Sequence, residues 1–208
     1  MEKVASTDGT QIAYDKQGTG PAVILVDGAL CYRSFGPMPG LAQLLAPHCT
    51  VYTYDRRGRG ESGDTRPYAV EREVEDLEAL IDNAGGSANL CGLSSGAALA
   101  LETAIKLGDT VQKLGMYEAP YAANEAAQPE WSEYDSTLAK LVAEDRRGDA
   151  VVLFMTVVGT PNEMVEPSGE IAQPTLWSRS FVGTSPSTDT AQTLVLTEPH
   201  SFHSAVEG

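Results

Sequence analysis

The chain has 208 residues, of which 42% are hydrophobic, and these values predict a single globular domain with at most a small insertion. Its formal net charge of −15 argues against nucleic acid or an anionic membrane surface as a partner, because both are bound through basic patches. The three cysteines, Cys31, Cys49 and Cys91, lack metal-ligand spacing, which is typical of reduced thiols in a cytoplasmic protein. We find neither a signal-peptide pattern nor a run of about 18 apolar residues, and we therefore expect no membrane span.

After a first strand pattern at 10–15, strand and helix patterns alternate from residue 22 to residue 120. The segment TQIAYD alternates like a half-buried strand, and AVILVDGAL is a short apolar run that ends in an Asp-Gly turn. The segment VEREVEDLEALIDNAGG carries apolar residues at the spacing of one helix face and is expected to end at Gly85. The predicted strands are 10–15, 22–30, 49–55, 87–92 and 111–120, and the predicted helices are 37–47, 70–86 and 95–107. This βαβ spacing predicts an α/β fold with a mostly parallel sheet and helices on both faces.

The character of the chain changes after residue 120. Residues 121–158 carry two successive helical patterns broken near Gly148, so we interpret 121–165 as a helical cap beside a core of residues 1–120. Residues 166–208 form an irregular tail, because 166–192 are rich in Ser, Thr and Pro without a sustained period. The tail offers one possible core strand at 193–197, and the C-terminal part of the fold is therefore expected to be incomplete.

A candidate nucleophile lies in the segment LCGLSSGAALALE, where Gly92-Leu93-Ser94-Ser95-Gly96 matches G-x-S-x-G. Attack on a carbonyl needs an exposed hydroxyl on a sharp strand-to-helix turn, and flanking glycines permit that turn. The motif follows a predicted strand and opens a predicted helix, whose positive end favours a developing oxyanion. We therefore predict that Ser94 is the nucleophile, while a Gly/Ser-rich helix cap is the structural alternative.

The loop after the strand AVILV is the candidate for the rest of an oxyanion hole. In an acyl-transfer enzyme such a loop supplies one N–H donor, and the residue after the nucleophile supplies another. We predict the amides of Ala29 and Ser95 as these donors. Asp27 is interpreted as a residue that shapes the loop, because a negative charge beside an oxyanion hole would oppose the reaction.

Four segments, VILVDGAL, YTYDRRGRGES, LCGLSSGAALALE and KLGMYEAP, occur in the order typical of the α/β-hydrolase fold. They resemble its oxyanion strand, its Asp-Arg-Arg-Gly-Arg-Gly-x-Ser loop, its nucleophile elbow and the strand after it, over roughly residues 8–165. The resemblance implies an esterase-like hydrolase that uses a serine, an acid and a histidine and needs no cofactor. A serine at the elbow disfavours haloalkane dehalogenase and epoxide hydrolase chemistry, for which the family uses a carboxylate. We interpret Arg56, Arg57 and Arg59 as parts of a structural loop.

The resemblance also implies a histidine base after the acid in the chain. His48 precedes Ser94 and is interpreted as a surface residue, which leaves His200 and His203 as the base candidates. The strand before them resembles the family strand that precedes the acid, whereas the family's histidine follows one strand later. The chain is thus expected to be C-terminally shortened or divergent, with slow hydrolysis of an activated ester.

The acid of the triad has more than one candidate. Glu198 follows the last predicted strand and occupies the position that the resemblance implies for the acid. Glu118 ends the strand GMYE, from which a carboxylate can reach the same histidine, and Asp189 is a weaker candidate in the irregular stretch.

These observations predict a serine hydrolase that acts on a small ester, lactone or thioester, with a small-molecule substrate as its partner. Two alternatives remain open at this point. The first is a catalytically impaired, hydrolase-like binding protein that lacks the triad histidine. The second is a lyase or a cofactor-free, haloperoxidase-like activity on the same fold.

Overall fold

The computed structural model describes residues 1–120, 128–159 and 195–197. The chain forms two compact units: residues 1–120 with 186–208 form the first, which holds the sheet, and residues 121–185 form the second, which holds the α-helices Gln128–Ala143 and Arg147–Val157. In chain order the elements are β1 (Glu2–Ala5), β2 (Gln11–Gln17), β3 (Ala22–Val26), α1 (Met38–Leu45), β4 (Thr50–Tyr54), α2 (Val70–Asn83), β5 (Ala88–Leu93), α3 (Ser95–Leu107), a short 3-10 helix (Gly108–Thr110), β6 (Val111–Tyr117), α4 (Gln128–Ala143), α5 (Arg147–Val157) and β7 (Val195–Thr197).

The seven described strands form one sheet in the order β1-β2-β4-β3-β5-β6-β7. The four central strands, β4, β3, β5 and β6, run parallel, as the βαβ spacing predicts. The edges differ from the centre, since β1, β2 and β7 pair antiparallel with their neighbours. The carboxyl ends of the parallel strands meet at one edge of the sheet, which is where ligands bind in open α/β sheets.

Helices cover both faces of the sheet, and each face has its own apolar core. Alternate residues of β3 point to opposite faces, so that Ile24 and Val26 join one core cluster and Leu25 joins the other. Helices α2 and α3 pack on the first cluster, and α1 packs on the second through Met38 and Ala42. The α/β fold predicted from the sequence, with a mostly parallel sheet and helices on both faces, is confirmed.

In the second unit, α4 and α5 pack against each other, with a break at residues 144–146. The break expected near Gly148 is therefore misplaced, because Gly148 lies inside the first turn of α5. Asp145 ends α4 in the left-handed region at φ 55, a conformation that aspartate tolerates better than most residues. The Arg146 N–H then donates to the Leu141 carbonyl at 2.9 Å, which closes the end of the helix.

The boundaries of the cap at 121–165 and of the tail at 166–208 stay predictions, because much of both segments lies outside the described residues. Strand β7 lies within the segment in which a strand was expected, 193–197. Its backbone pairs antiparallel with β6.

Candidate active site

Ser94 lies in the sharp turn that joins β5 to α3. Its backbone adopts φ 53 and ψ −123, a conformation that L-residues with side chains rarely adopt. Two sets of hydrogen bonds hold the turn: the Ser94 N–H donates to the Tyr117 carbonyl at 2.9 Å, and the Ser94 carbonyl accepts from Ala97 at 2.9 Å. Backbone strain of this kind persists where the surroundings fix it, and such strain clusters at functional sites.

The glycines on either side of Ser94 are required by close packing. A Cβ added to Gly92 would lie 2.4 Å from the Gly96 carbonyl oxygen, and a Cβ added to Gly96 would lie 2.2 Å from the Val26 carbonyl oxygen. Helix α3 can therefore begin directly against β3 and β5 only if both positions lack a side chain. This packing explains the G-x-S-x-G pattern by sterics, independently of any catalytic role.

The loop that follows β3 faces this turn. We call residues 27–31 the oxyanion loop, after the role that the sequence predicts for it. A Cβ added to Gly28 would stand 3.4 Å from Ser94 Cβ, so the loop backbone passes next to the serine. The two predicted oxyanion donors, Ala29 and Ser95, are both half-buried, one in the loop and one at the start of α3. The first N–H groups of a helix lack intrahelical partners, which leaves the Ser95 N–H available to an anion.

Glu118 is brought to the same edge of the sheet as Ser94. Leu93 pairs with Tyr117 in the parallel ladder between β5 and β6, so Ser94 and Glu118 are the next residues along their two strands. Glu118 is exposed and adopts φ 49. The candidate acid Glu118 and the candidate nucleophile Ser94 therefore follow the adjacent ends of two neighbouring strands.

His48 lies at the opposite edge. It is exposed and precedes β4, whereas Ser94 follows β5, and these strands run in the same direction. A five-residue strand spans roughly 17 Å, which is too far for a proton transfer. The remaining base candidates, His200 and His203, and the acid candidates Glu198 and Asp189 lie outside the described residues.

The three arginines of the loop after β4 are engaged in buried contacts. Arg56 binds both carboxylate oxygens of Glu73, at 2.6 and 2.7 Å, and both side chains are buried. Although burial alone would raise it, the pKa of Glu73 is lowered by the Arg56 guanidinium. Arg57 binds Asp76 at 2.6 and 2.8 Å. These pairs agree with the interpretation of a structural loop.

Two of these arginines also reach the oxyanion loop, which the sequence did not indicate. Arg56 Nη1 donates to the Asp27 carbonyl at 3.2 Å and to Ser95 Oγ at 3.1 Å. Arg59 Nη1 donates to the carbonyls of Gly28 at 2.7 Å and Cys31 at 3.1 Å. No local pattern could have identified these contacts, because each joins residues about 30 or more positions apart.

Asp27 is 3% exposed, and its Oδ1 has no hydrogen-bond partner among the described residues. Burial raises the pKa of Asp27 to about 7, against the lowering influence of its hydrogen bond with Gly28 and of the charges of Arg59 and Arg56. Burial, and then the charge of Asp27, raises the pKa of the Cys31 thiol to about 12. A carboxyl group that is largely neutral below pH 7 can lie in the oxyanion loop with little cost to a developing negative charge nearby.

No candidate metal-binding site is found among the described residues. Within 1–120, 128–159 and 195–197, no group of three or more His, Cys, Asp or Glu side chains is arranged to hold one. The three cysteines are free thiols. None of the helices in the described part of the chain is both long enough and apolar enough to cross a bilayer.

A strained serine between a parallel strand and a helix, facing a loop at the carboxyl edge of the sheet, is the arrangement of the nucleophile elbow in the α/β-hydrolase fold. The sequence matches the model of the alpha/beta hydrolase family over residues 19–203, and the chain belongs to that family.

Two solved structures show how far the similarity extends. An alpha/beta hydrolase from Sphaerobacter thermophilus is 46% identical, with a TM-score of 0.70, over 88% of this chain and 74% of that one. A thermophilic esterase from Thermogutta terrifontis is 26% identical, with a TM-score of 0.56, over 67% of this chain and 52% of that one.

Among curated proteins, the uncharacterised hydrolase YraK of Bacillus subtilis is 32% identical over 114 residues, which are 53% of this chain. The match covers 41% of the length of that relative. The chain thus spans less than half the length of the curated relative that it matches.

Proposed function

We infer that the protein is a serine hydrolase that cleaves a small ester, lactone or thioester through an acyl-enzyme on Ser94. The observation that carries this proposal is the backbone of Ser94, held at φ 53 against the oxyanion loop. The similarity to the Thermogutta terrifontis esterase supports an ester-type substrate. The free thiols support a reducing compartment such as the cytoplasm.

In the proposed reaction, a base removes the proton from Ser94 Oγ, and the oxygen attacks the substrate carbonyl. The amides of Ala29 and Ser95 donate to the oxygen of the tetrahedral intermediate, which then collapses and releases the alcohol or thiol with the proton from the base. In the second half the base takes a proton from water, whose oxygen attacks the acyl carbon. The bond to Ser94 Oγ then breaks, Ser94 Oγ regains the proton from the base, and the acid is released. His200 or His203 would be the base, and Glu118 or Glu198 the acid that orients it.

A fluorophosphonate probe tests the nucleophile. We expect the probe to modify Ser94, to modify the Ser95→Ala variant as well, and to leave the Ser94→Ala variant unmodified. With a complete triad, Ser94→Ala should lower kcat for p-nitrophenyl acetate on the order of 10⁶-fold. Modification at Ser95, or an unmodified folded wild-type protein, would refute the assignment.

The pH profile tests the base. A triad histidine predicts activity that rises through a pKa of roughly 6.5, and either His200→Ala or His203→Ala should then abolish most of it. A wild-type turnover that neither substitution changes would identify a hydrolase that relies on the elbow and oxyanion amides alone, which retain roughly 10³-fold catalysis over water.

A further inference from the structure

We propose that Arg59, assisted by Arg56, is a positioning residue that aims the Ala29 N–H at the reacting carbonyl oxygen. This inference rests on the proposed serine hydrolase, because it concerns the oxyanion hole of that reaction. It gives the arginine-rich loop after β4 a function in the active site, beyond the buried ion pairs that it forms.

The geometry of the peptide bond links Arg59 to the oxyanion donor. The Gly28 carbonyl and the Ala29 N–H belong to one planar peptide group and point in opposite directions. Arg59 Nη1 holds that carbonyl oxygen at 2.7 Å. Holding the Gly28 carbonyl toward Arg59 therefore directs the Ala29 N–H away from Arg59 within the same peptide plane.

The same Nη1 atom fixes the far end of the loop. It lies 3.1 Å from the Cys31 carbonyl, so the two hydrogen bonds of Arg59 span Ala29 and Leu30. Leu30 adopts φ 60, a strained conformation for a leucine, which needs surrounding contacts to persist. A guanidinium donor on a carbonyl also polarises the peptide group, which strengthens its N–H as a donor.

Arg56 contacts both the oxyanion loop and Ser95, the residue predicted to supply the second oxyanion donor. One of its nitrogen atoms contacts both the Asp27 carbonyl and Ser95 Oγ, and so joins the oxyanion loop to the residue that supplies the second amide. Glu73 holds the guanidinium through two short hydrogen bonds and also accepts one from the Tyr68 hydroxyl at 2.9 Å. Arg56 therefore links the start of the oxyanion loop to the N-terminus of α3, where the second predicted amide donor lies.

Arg57 provides a matched control. It is a neighbour in the same loop and is 5% exposed, but its contacts are with Asp8, Asp76 and the Arg72 carbonyl rather than with the oxyanion loop. Substitution of Arg57 disturbs buried contacts of the same loop without removing a hydrogen bond to the oxyanion loop. It should not reorient Ala29.

The experiment compares Arg59→Met, Arg59→Lys and Arg57→Lys by two measurements. The first is kcat and KM for p-nitrophenyl acetate. We expect Arg59→Met to lower kcat about 10- to 100-fold with KM nearly unchanged, less than the roughly 10²- to 10³-fold loss on removing an oxyanion donor outright. Arg59→Lys should recover part of the loss, because one ammonium can still donate to Gly28, and Arg57→Lys should retain the wild-type kcat.

The second measurement is amide hydrogen exchange of the peptide that contains residues 27–31, which does not depend on catalysis. We expect faster exchange in Arg59→Met and wild-type exchange in Arg57→Lys. Unchanged exchange in Arg59→Met, or faster exchange with an unchanged kcat, would overturn the proposal. An inactive wild-type protein in which Arg59→Met still accelerates exchange would refute the hydrolytic role of Ser94 and support the positioning of the loop.

Discussion

Replacement of Asp27 by asparagine should change how the stability of the protein depends on pH. Asp27 is buried at the start of the oxyanion loop, and burial raises its pKa from the ordinary value of 3.8 to about 7. In the unfolded chain the carboxyl group ionises near its ordinary value. Between these two pKa values the folded protein binds one more proton than the unfolded protein.

The sign and size of the effect follow from linkage. A raised pKa in the folded state contributes stability that is present at low pH and is lost as the pH rises toward about 7. The slope is about 1.4 kcal/mol per pH unit well below the folded pKa and about half of that at the folded pKa, so the loss between pH 5 and pH 7 is about 2 kcal/mol. Asparagine has nearly the same shape and does not ionise, so this loss disappears in the variant.

The assay is urea denaturation of both proteins at pH 5, 6, 7 and 8, a range above the sequence pI of about 4.4. We expect the free energy of unfolding of Asp27→Asn, relative to wild type, to rise by about 3 kcal/mol across this range. Asp8→Asn is the control, because hydrogen bonds from Thr10 and Arg57 hold the pKa of Asp8 well below its usual value. Asp8 is therefore ionised in both states throughout, and its variant should show a constant difference.

A constant difference between Asp27→Asn and wild type would show that Asp27 is ionised in the folded protein at pH 5. The favourable charges of Arg56 and Arg59 would then outweigh burial. In that case the oxyanion loop would carry a full negative charge, and Asp27 would not lie near the reaction as a neutral group.

Two further predictions concern stability. Gly96→Ala should lower Tm strongly, because the new methyl group would overlap a backbone oxygen at 2.2 Å, whereas Gly40→Ala in α1 meets no atom within 4 Å and should raise or preserve Tm. A normal Tm for Gly96→Ala would contradict the close approach of α3 to β3. Asp76→Asn should cost about 3–5 kcal/mol in a denaturant titration, because it breaks a buried ion pair with Arg57 in which each side chain is 1% exposed. A loss below about 1 kcal/mol would show that solvent reaches this pair.

The sequence predicted those secondary-structure elements that are determined by the residues of a single local segment. The apolar spacing of residues 70–86 predicted α2, which the structure places at Val70–Asn83. The glycines around Ser94 predicted a strand–turn–helix, which was found at the expected residues. Helix periodicity and turn sterics are local properties, so a single segment carries enough information to identify them.

Other features depend on contacts between strands that no local segment of the sequence determines. Strand β1 gave no sequence signal, because its four residues are exposed or half-buried and it is stabilised by pairing with β2. The position of β1 at the antiparallel edge of the sheet therefore depends on its pairing with β2. The same holds for Glu118, which reaches the edge that carries Ser94 because β5 and β6 pair in parallel.

The tertiary structure also decided the chemistry of the oxyanion loop. An Asp-Gly turn after a buried strand is evident in the sequence, but the high pKa of Asp27 results from the burial of its carboxyl group in the folded protein. The hydrogen bonds from Arg56 and Arg59 to this loop likewise join distant residues. Local sequence determines which backbone shapes are accessible, whereas hydrogen bonds and burial between distant segments exist only after the chain has folded, and these interactions set charge and orientation at the site.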